Sequence, residues 1–185
     1  MLRIGFCFFL FQSLAVSQIH AQNFSAYLIG GFNISQIEGD KLTGYNKAGV
    51  VAGGATNFRL NDNWSLQQEI VFYQRGSRAS DEELDADDFT KLRLDYIDIL
   101  FLPVYHIDQK WSISGGVGYG VFLSSESDFQ TGVDFTGDLF LTLGPQYQLT
   151  DNWLAAVRIQ FSMLDVIDNR DALNNSLNLT LRYQL

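Results

Sequence analysis

The stretch WSISGGVGYGVFL, residues 111–123, alternates bulky and small side chains along its length. Its odd-numbered positions form a largely apolar set: Trp111, Ile113, Gly115, Val117, Tyr119, Val121 and Leu123. Its even-numbered positions are mostly small: Ser112, Ser114, Gly116, Gly118, Gly120 and Phe122. Successive side chains of a strand point to opposite faces, whereas a helix would scatter these residues around its axis. The stretch is therefore predicted to be a strand with one bulky apolar face and one small, mostly polar face.

The same alternation recurs along the chain and predicts eight strands. It is clear in WSLQQEIVFYQR, WLAAVRIQFSM and SLNLTLRYQL. The predicted strands cover residues 24–35, 47–59, 64–75, 92–105, 111–123, 135–149, 153–163 and 176–185. The fourth alternates least clearly, and its Pro103 cannot donate a ladder hydrogen bond.

The connections between these strands alternate between short and long. Those after the second, fourth and sixth strands are the tight turns NDN, IDQK and TDN, which contain the Asp and Asn residues that turns favour. Those after the other strands run roughly ten to fifteen residues. Short periplasmic turns, long external loops and an even number of strands are typical of small outer-membrane barrels. The predicted fold is all-β: an eight-stranded antiparallel up-and-down transmembrane β-barrel with both termini on the periplasmic side.

The three tryptophans share one local setting, because Trp64, Trp111 and Trp153 each follow a polar turn directly. Each opens a strand on its apolar face, at the height of the membrane interface, where an indole is favoured. Tyr147 and Tyr183 lie on the same faces near the same end, so these five residues are predicted to form an interfacial girdle. The alternative is a soluble sandwich with the tryptophans in its core, but their cross-strand neighbours are expected to be polar and small.

The N-terminus has the features of a signal peptide. Arg3 supplies a positive charge, IGFCFFLFQSLAV an apolar segment, and IHA, ending at Ala21, a cleavage site. The predicted organisation is therefore a signal peptide over residues 1–21 and a barrel domain over residues 22–185. Cleavage would remove Cys7 and leave 11 basic and 21 acidic residues, a net charge of −10. Disulfides and nucleic-acid binding are then not expected.

Several segments, taken in order, carry a family resemblance. They are GGFNISQIEGDKLTGYNKAGVVAGG, QEIVFYQRGS, LDYIDILFLPVY and VRIQFSMLDVID. This order resembles the PorT-like outer-membrane β-barrel domain common in Bacteroidetes, over nearly all of the predicted mature chain. The family usually has a proline two residues after the acidic residue of its fourth strand, where this chain has Leu100. The resemblance implies an eight-stranded barrel in the outer membrane and no single activity.

The last strand ends in Leu181, Tyr183 and Leu185, which face one way. This ending is similar to the signal that the barrel-assembly machinery recognises in its clients. The expected partners are therefore this machinery, outer-membrane lipid and lipopolysaccharide, together with envelope proteins that contact the external loops.

The residues favour a non-enzymatic protein without a cofactor. Eight strands leave an interior that side chains fill, so a general diffusion pore is not expected. His106 is the only histidine left after cleavage and lies at the tight-turn end, which supports neither a Ser-His-acid site near the external loops nor a zinc site. A structural or surface-interaction role is the main prediction. An accessory subunit of a secretion or envelope complex, and a narrow channel or ligand-binding barrel, stay open as alternatives.

The second long loop, residues 76–91, is rich in carboxylates: Asp81, Glu82, Glu83, Asp85, Asp87 and Asp88. Ca²⁺ and Mg²⁺ prefer such oxygen ligands, but the spacing matches no defined calcium loop. An acidic run is more often a solvated loop, so no metal site is predicted here.

The polar face of the strands predicts an ion pair across the lumen. Glu69 and Arg158 both lie five residues past a tryptophan on opposite walls of the barrel, and Gly116 leaves space between them. Arg182 is expected as a second donor to Glu69, with Tyr73 above the pair. The alternative is that each charge is hydrated separately in a wet lumen.

Overall fold

The computed structural model describes residues 23–38, 47–78, 91–127, 136–166 and 173–185. It contains the strands β1 (Phe24–Glu38), β2 (Lys47–Arg59), β3 (Trp64–Arg78), β4 (Lys91–His106), β5 (Trp111–Ser127), β6 (Asp138–Gln148), β7 (Trp153–Ser162) and β8 (Leu173–Gln184). Each strand pairs antiparallel with its neighbours in sequence, and β8 pairs with β1, which closes the barrel. The predicted eight-stranded antiparallel fold is confirmed.

The strands alternate as predicted, with an apolar outer face and a buried inner face. Val117 is 48% exposed on the outside, whereas Ser114 and Thr142 point inward and are buried. The soluble sandwich is therefore wrong, because the tryptophans are on the outer surface of a closed barrel. Among the residues that the structure describes, no helix has the length and apolar character to cross a bilayer.

β4 alternates poorly in sequence because both of its faces are apolar. Leu100 and Leu102 point into the lumen and are buried, while Ile99 and Phe101 point outward. Its pairing with β5 shifts register between Asp95 and Tyr96. The ladder to β5 also skips from Phe101↔Val117 to Val104↔Ser114, across the proline at position 103 that has no N–H to donate.

Four strands, β1, β3, β5 and β8, extend three or four residues further on the long-loop side than the sequence predicts, whereas β6 begins three residues later than predicted. β1 ends at Glu38 and β2 begins at Lys47, so the connection over residues 39–46 is shorter than the predicted ten to fifteen residues. The hydroxyl of Ser35 on β1 donates to the carbonyl of Gly76 on β3 at 2.9 Å and accepts from its N–H at 3.0 Å. Gly76 has a φ of +138°, which other residues rarely adopt. These side-chain bonds join β1 to β3 and support the longer strands.

The glycines on the inner face of β5 do not leave empty space, which corrects the expectation for Gly116. A Cβ atom at Gly116 would lie 2.2 Å from the carbonyl oxygen of Phe101 and 3.2 Å from the side chain of Leu102. At Gly118 it would lie 2.3 Å from the ring of Phe140. The sequence pattern shows small residues but not the large side chains from other strands that fill the space beside them.

The predicted signal peptide and the cleavage site after Ala21 lie outside the described residues. So do the six carboxylates of the second long loop, although the ends of the predicted loop at 76–78 and 91 belong to β3 and β4.

Candidate functional site in the barrel interior

The structure brings together Glu69, Arg158 and Arg182 in the half of the lumen near the short turns. Arg158 Nη1 lies 2.9 Å from both carboxylate oxygens of Glu69, and Arg182 Nη1 lies 2.6 Å from Oε1. Gln67 donates to the same carboxylate, and Arg158 Nε donates to Ser114 Oγ at 3.0 Å. All of these groups are buried. This lower cluster therefore joins two guanidinium groups to one carboxylate.

An apolar layer lies above the lower cluster and includes Tyr73, which the sequence placed above the pair. Tyr73 is buried and belongs to a core cluster with Val71, Leu100 and Phe140. Its ring lies 5.0 Å from the guanidinium carbon of Arg75. Tyr73 thus lies between the lower cluster and a second charged cluster. Buried side chains fill the lumen at this level.

Arg75 is the centre of this upper cluster. Its Nη1 lies 2.9 Å from Asp138 Oδ2, and its Nη2 donates to Asp98. Arg75 Nη2 also lies 3.4 Å from Gln160 Oε1. The Ser162 hydroxyl donates to Asp138 Oδ1 at 2.5 Å. The upper cluster therefore has one guanidinium and two carboxylates, the reverse of the lower one.

Three aromatic rings surround the Arg75 guanidinium. Its carbon lies 4.8 Å from the ring centroid of Phe140, 5.0 Å from that of Tyr73 and 5.4 Å from that of Tyr96. A cation is attracted to the faces of such rings. The same rings close the lumen around the ion pairs, so the upper cluster is a packed plug.

Sequence reasoning missed the upper cluster as a site. The alternation of β3 puts Arg75 on the inner face of that strand, but the sequence indicates no partner for it. Asp98 lies on β4, where alternation is obscured, and Asp138 is the first residue of β6, directly after a long loop. The available signal was the presence of two acidic residues and one arginine on inward positions near the long-loop ends of three strands.

An open polar cavity of about 640 Å³ lies at the short-turn mouth of the lumen, next to His106. His106 Nε2 lies 2.9 Å from Ser65 Oγ, so the structure forms a serine–histidine contact. The Asp108 carboxylate makes no hydrogen bond to His106 within the described residues, and its Oδ1 accepts from the N–H groups of Lys110 and Trp111 at 2.7 Å. Within the described ranges, no group of His, Cys, Asp and Glu side chains could hold a metal ion.

The girdle residues meet in pairs on the outer surface. The ring centroids are 5.1 Å apart for Trp64 and Tyr105, 4.7 Å for Trp111 and Tyr147, and 5.1 Å for Trp153 and Tyr183. Tyr105 was not predicted as a member, although it directly precedes the end of β4. With Phe24 and Phe58, every strand has an outward aromatic residue near its short-turn end: Phe24, Phe58, Trp64, Tyr105, Trp111, Tyr147, Trp153 and Tyr183.

In each polar turn before a tryptophan, a side-chain oxygen accepts a hydrogen bond from the tryptophan N–H. Asn61 Oδ1 accepts from the N–H of Trp64 at 2.9 Å, Asp108 Oδ1 from that of Trp111 at 2.7 Å, and Thr150 Oγ1 from that of Trp153 at 3.2 Å. The N–H groups of Trp111 and Lys110 hold the pKa of Asp108 below its ordinary value. The recurrence of a polar turn before each tryptophan therefore follows from a capped turn that starts each strand at the girdle.

The barrel is similar to solved outer-membrane barrels. The attachment invasion locus protein Ail of Yersinia pestis matches with a TM-score of 0.56 and 19% identity, over 88% of this chain and 99% of that one. The Neisserial surface protein A matches with a TM-score of 0.57 and 11% identity, over 88% of this chain and 97% of that one. At these identities the likeness shows the fold alone. No curated protein matches this chain.

A family model also matches residues 17–168, which is most of the chain and covers β1 to β7. Its description is outer membrane protein beta-barrel domain. The closed antiparallel barrel, the apolar outer wall and the aromatic girdle agree with that description. The chain therefore belongs to the outer membrane protein beta-barrel domain family.

Proposed function

We propose that this protein is a non-conducting outer-membrane barrel with a structural or surface-interaction role. The observation that supports this proposal is the packed lumen. Two charged clusters and an apolar layer fill the interior between the short-turn cavity and the long-loop end, and Glu69, Arg75, Asp98 and Asp138 are all buried. A barrel filled in this way acts as a rigid support for its loops, where binding residues are concentrated in such folds.

The proposal includes the absence of catalysis. The serine–histidine contact at the short-turn mouth has a buried serine and no carboxylate from Asp108, whose Oδ1 caps the turn. The carboxylates of the two lumen clusters are paired with arginines, which suits a structural network. A fold shared with other barrels does not establish that this protein has their functions.

The proposal also covers the subgroup of the family, the position of the termini and the partners. The order of the sequence segments supports a PorT-like member and, through it, an accessory subunit of a secretion or envelope complex. Both ends of the described barrel, Phe24 and Leu185, lie at the short-turn end, which supports a periplasmic position for both termini. Lipopolysaccharide would surround the external half, and the barrel-assembly machinery would insert the chain.

Planar-bilayer recording of the full-length protein, purified from outer membranes, tests the non-conducting barrel. We expect no single-channel steps for the wild type. Phe140→Ala removes the ring that fills the centre of the lumen and is expected to produce them, while Leu141→Ala, on the lipid face of the same strand, is the matched control. Steps from the wild-type protein, at a frequency that scales with inserted barrels, would contradict the proposal and favour the narrow channel. Isolation of a stable set of envelope partners would favour the accessory role.

A further inference from the structure

Two polar side chains interrupt the apolar outer wall on β2 and β3. Thr56 and Gln68 face each other in the β2–β3 register and point outward. Gln68 lies midway between Trp64 at the girdle and Phe72 near the other rim. In a band about 25 Å tall, this position is close to the middle of the hydrocarbon.

The amide of Gln68 lacks a partner in the described part of the barrel. It carries two N–H donors and a carbonyl acceptor, and its side chain is exposed on the outer surface. Lipid tails offer no hydrogen bonds, so an amide at this depth is costly unless another protein group meets it. The position of Gln68 therefore indicates a polar contact from outside the barrel.

Two glycines beside this pair are not required by the packing of the barrel itself. A Cβ atom at Gly30 would meet nothing within 4 Å, and one at Gly54 would make an ordinary contact with the Tyr27 carbonyl at 3.5 Å. At each of the other described glycines, a Cβ atom would come within 3.0 Å of another atom. Glycine weakens a strand and often marks the close approach of another backbone. At Gly30 and Gly54, only another molecule outside the barrel could approach in this way.

The side chains around these glycines form a hollow between two ridges. Gly54 pairs with Leu28 on one side and with Ile70 on the other, and Gly30 pairs with Ala52. Phe32, at 69%, and Ile70, at 62%, are the most exposed large apolar side chains within the described strands. The outer wall therefore has projecting apolar side chains next to the hollow at the two glycines.

We propose that the outer face of β1, β2 and β3 binds a second copy of this chain. The two copies would be related by a twofold axis along the membrane normal. A symmetric interface needs a self-complementary surface, and this face has a projecting Ile70 beside the Gly54 hollow that would receive its counterpart. Copies inserted in the same direction place Gln68 at the same depth, so the two amides can exchange donor and acceptor. A lipid tail could fill the hollow but could not bond to the amide.

Disulfide trapping in outer membranes tests this proposal with the full-length chain. Gln68→Cys should give an oxidised dimer of twice the barrel mass, because position 68 lies next to the twofold axis. The matched control is Val157→Cys, which is outward on β7 at the far side of the barrel. The wild-type chain, whose single cysteine, Cys7, is expected to be removed with the signal peptide, is treated in parallel. A dimer from Gln68→Cys no more abundant than that from Val157→Cys would overturn the proposal, as would an adduct with a protein of another mass.

A second substitution separates dimerisation from folding. Gly54→Val, added to Gln68→Cys, fills the hollow and is expected to lower the trapped dimer about tenfold. A Cβ atom at position 54 makes only an ordinary contact and points outward, so the barrel should still resist unfolding in detergent at room temperature. Ala155→Val, on the lipid face of β7, is the control and should leave the dimer unchanged. An undiminished dimer in a folded Gly54→Val barrel would show that the hollow is not the interface.

Discussion

Glu69 forms ion pairs with two guanidinium groups at once, in the interior of the barrel. Arg158 and Arg182 reach its carboxylate from neighbouring strands, and all three side chains are buried. Removal of one partner from a buried ion pair costs more than the pair contributes, because the remaining charge is left without compensation. The effect of a substitution at this position therefore depends on which charges stay behind.

Glu69→Ala is expected to destabilise the barrel by about 3–5 kcal/mol, since it strands buried guanidinium groups. The double variant Glu69→Ala with Arg158→Leu should recover part of this loss. Recovery is only partial because Arg182, the second partner of Glu69, remains buried without its counter-charge. Urea unfolding in lipid vesicles measures these free energies. Thr180→Ala, a buried neutral change on β8, is the control, and an equal loss for it would contradict the ion-pair explanation.

Gly118→Ser tests the packing of the inner face of β5. The sequence alone predicts that it costs less than Val117→Arg on the lipid face, which should cost roughly 2–4 kcal/mol near the midplane. The structure changes this expectation, because the new side chain would meet the ring of Phe140. We expect Gly118→Ser to destabilise the barrel by about 1–3 kcal/mol. Combining it with Phe140→Leu should reduce the loss in the same unfolding assay, and no reduction would mean that the clash lies elsewhere.

Among the elements of the fold, the three short turns position the strands that follow them. Their polar side chains accept hydrogen bonds from the N–H groups that open β3, β5 and β7. Each following tryptophan then packs on a tyrosine of the neighbouring strand. Each turn thus joins its strand to the preceding one, and the aromatic pair joins the same strand to the following one.

Asp108→Asn tests the contribution of charge to one of these turns. The folded pKa of Asp108 lies below its ordinary value of 3.8, first because of the Trp111 N–H and then because of the Lys110 N–H. The stabilisation by its charge is therefore present above about pH 4 and is lost as the pH falls through the folded pKa. We expect the wild-type advantage over Asp108→Asn to shrink in acid, as measured by unfolding titrations across this range. An advantage that stays constant with pH would contradict a role for the charge.

The sequence predicts elements of this barrel well where one face is apolar and the other polar. β5 and β7 are of this kind: both begin at the predicted residue, and β7 ends within one residue of its predicted end, although β5 continues four residues further. β4 is harder because its lumen side holds Leu100 and Leu102, so that both faces are apolar. The contact between Glu69 and Arg158 could be anticipated from their equal distance to a tryptophan. Asp138 could not be placed in this way, because no girdle residue precedes it on its strand.

For the molecule as a whole, we propose that export depends on residues 1–21, which lie outside the described residues. The sequence predicts cleavage after Ala21, so that the mature protein begins at Gln22 and fractionates with the outer membrane. Intact-mass measurement of the exported protein tests this, because cleavage would leave residues 22–185. A mass that includes Met1 would show that the segment is retained. Ala21→Arg should block processing, and Ala15→Arg, within the apolar segment, is the comparison that impairs export itself.

The opposite composition of the two lumen clusters gives the barrel an electrical polarity along its axis. With all groups ionised, the lower cluster has an excess of one positive charge and the upper cluster an excess of one negative charge. A cation that approaches from the short-turn mouth first meets the positive lower cluster. An anion that approaches from the long-loop mouth first meets the negative upper cluster. The interior therefore opposes ions by sign as well as by packing, and it discriminates between the two directions of entry.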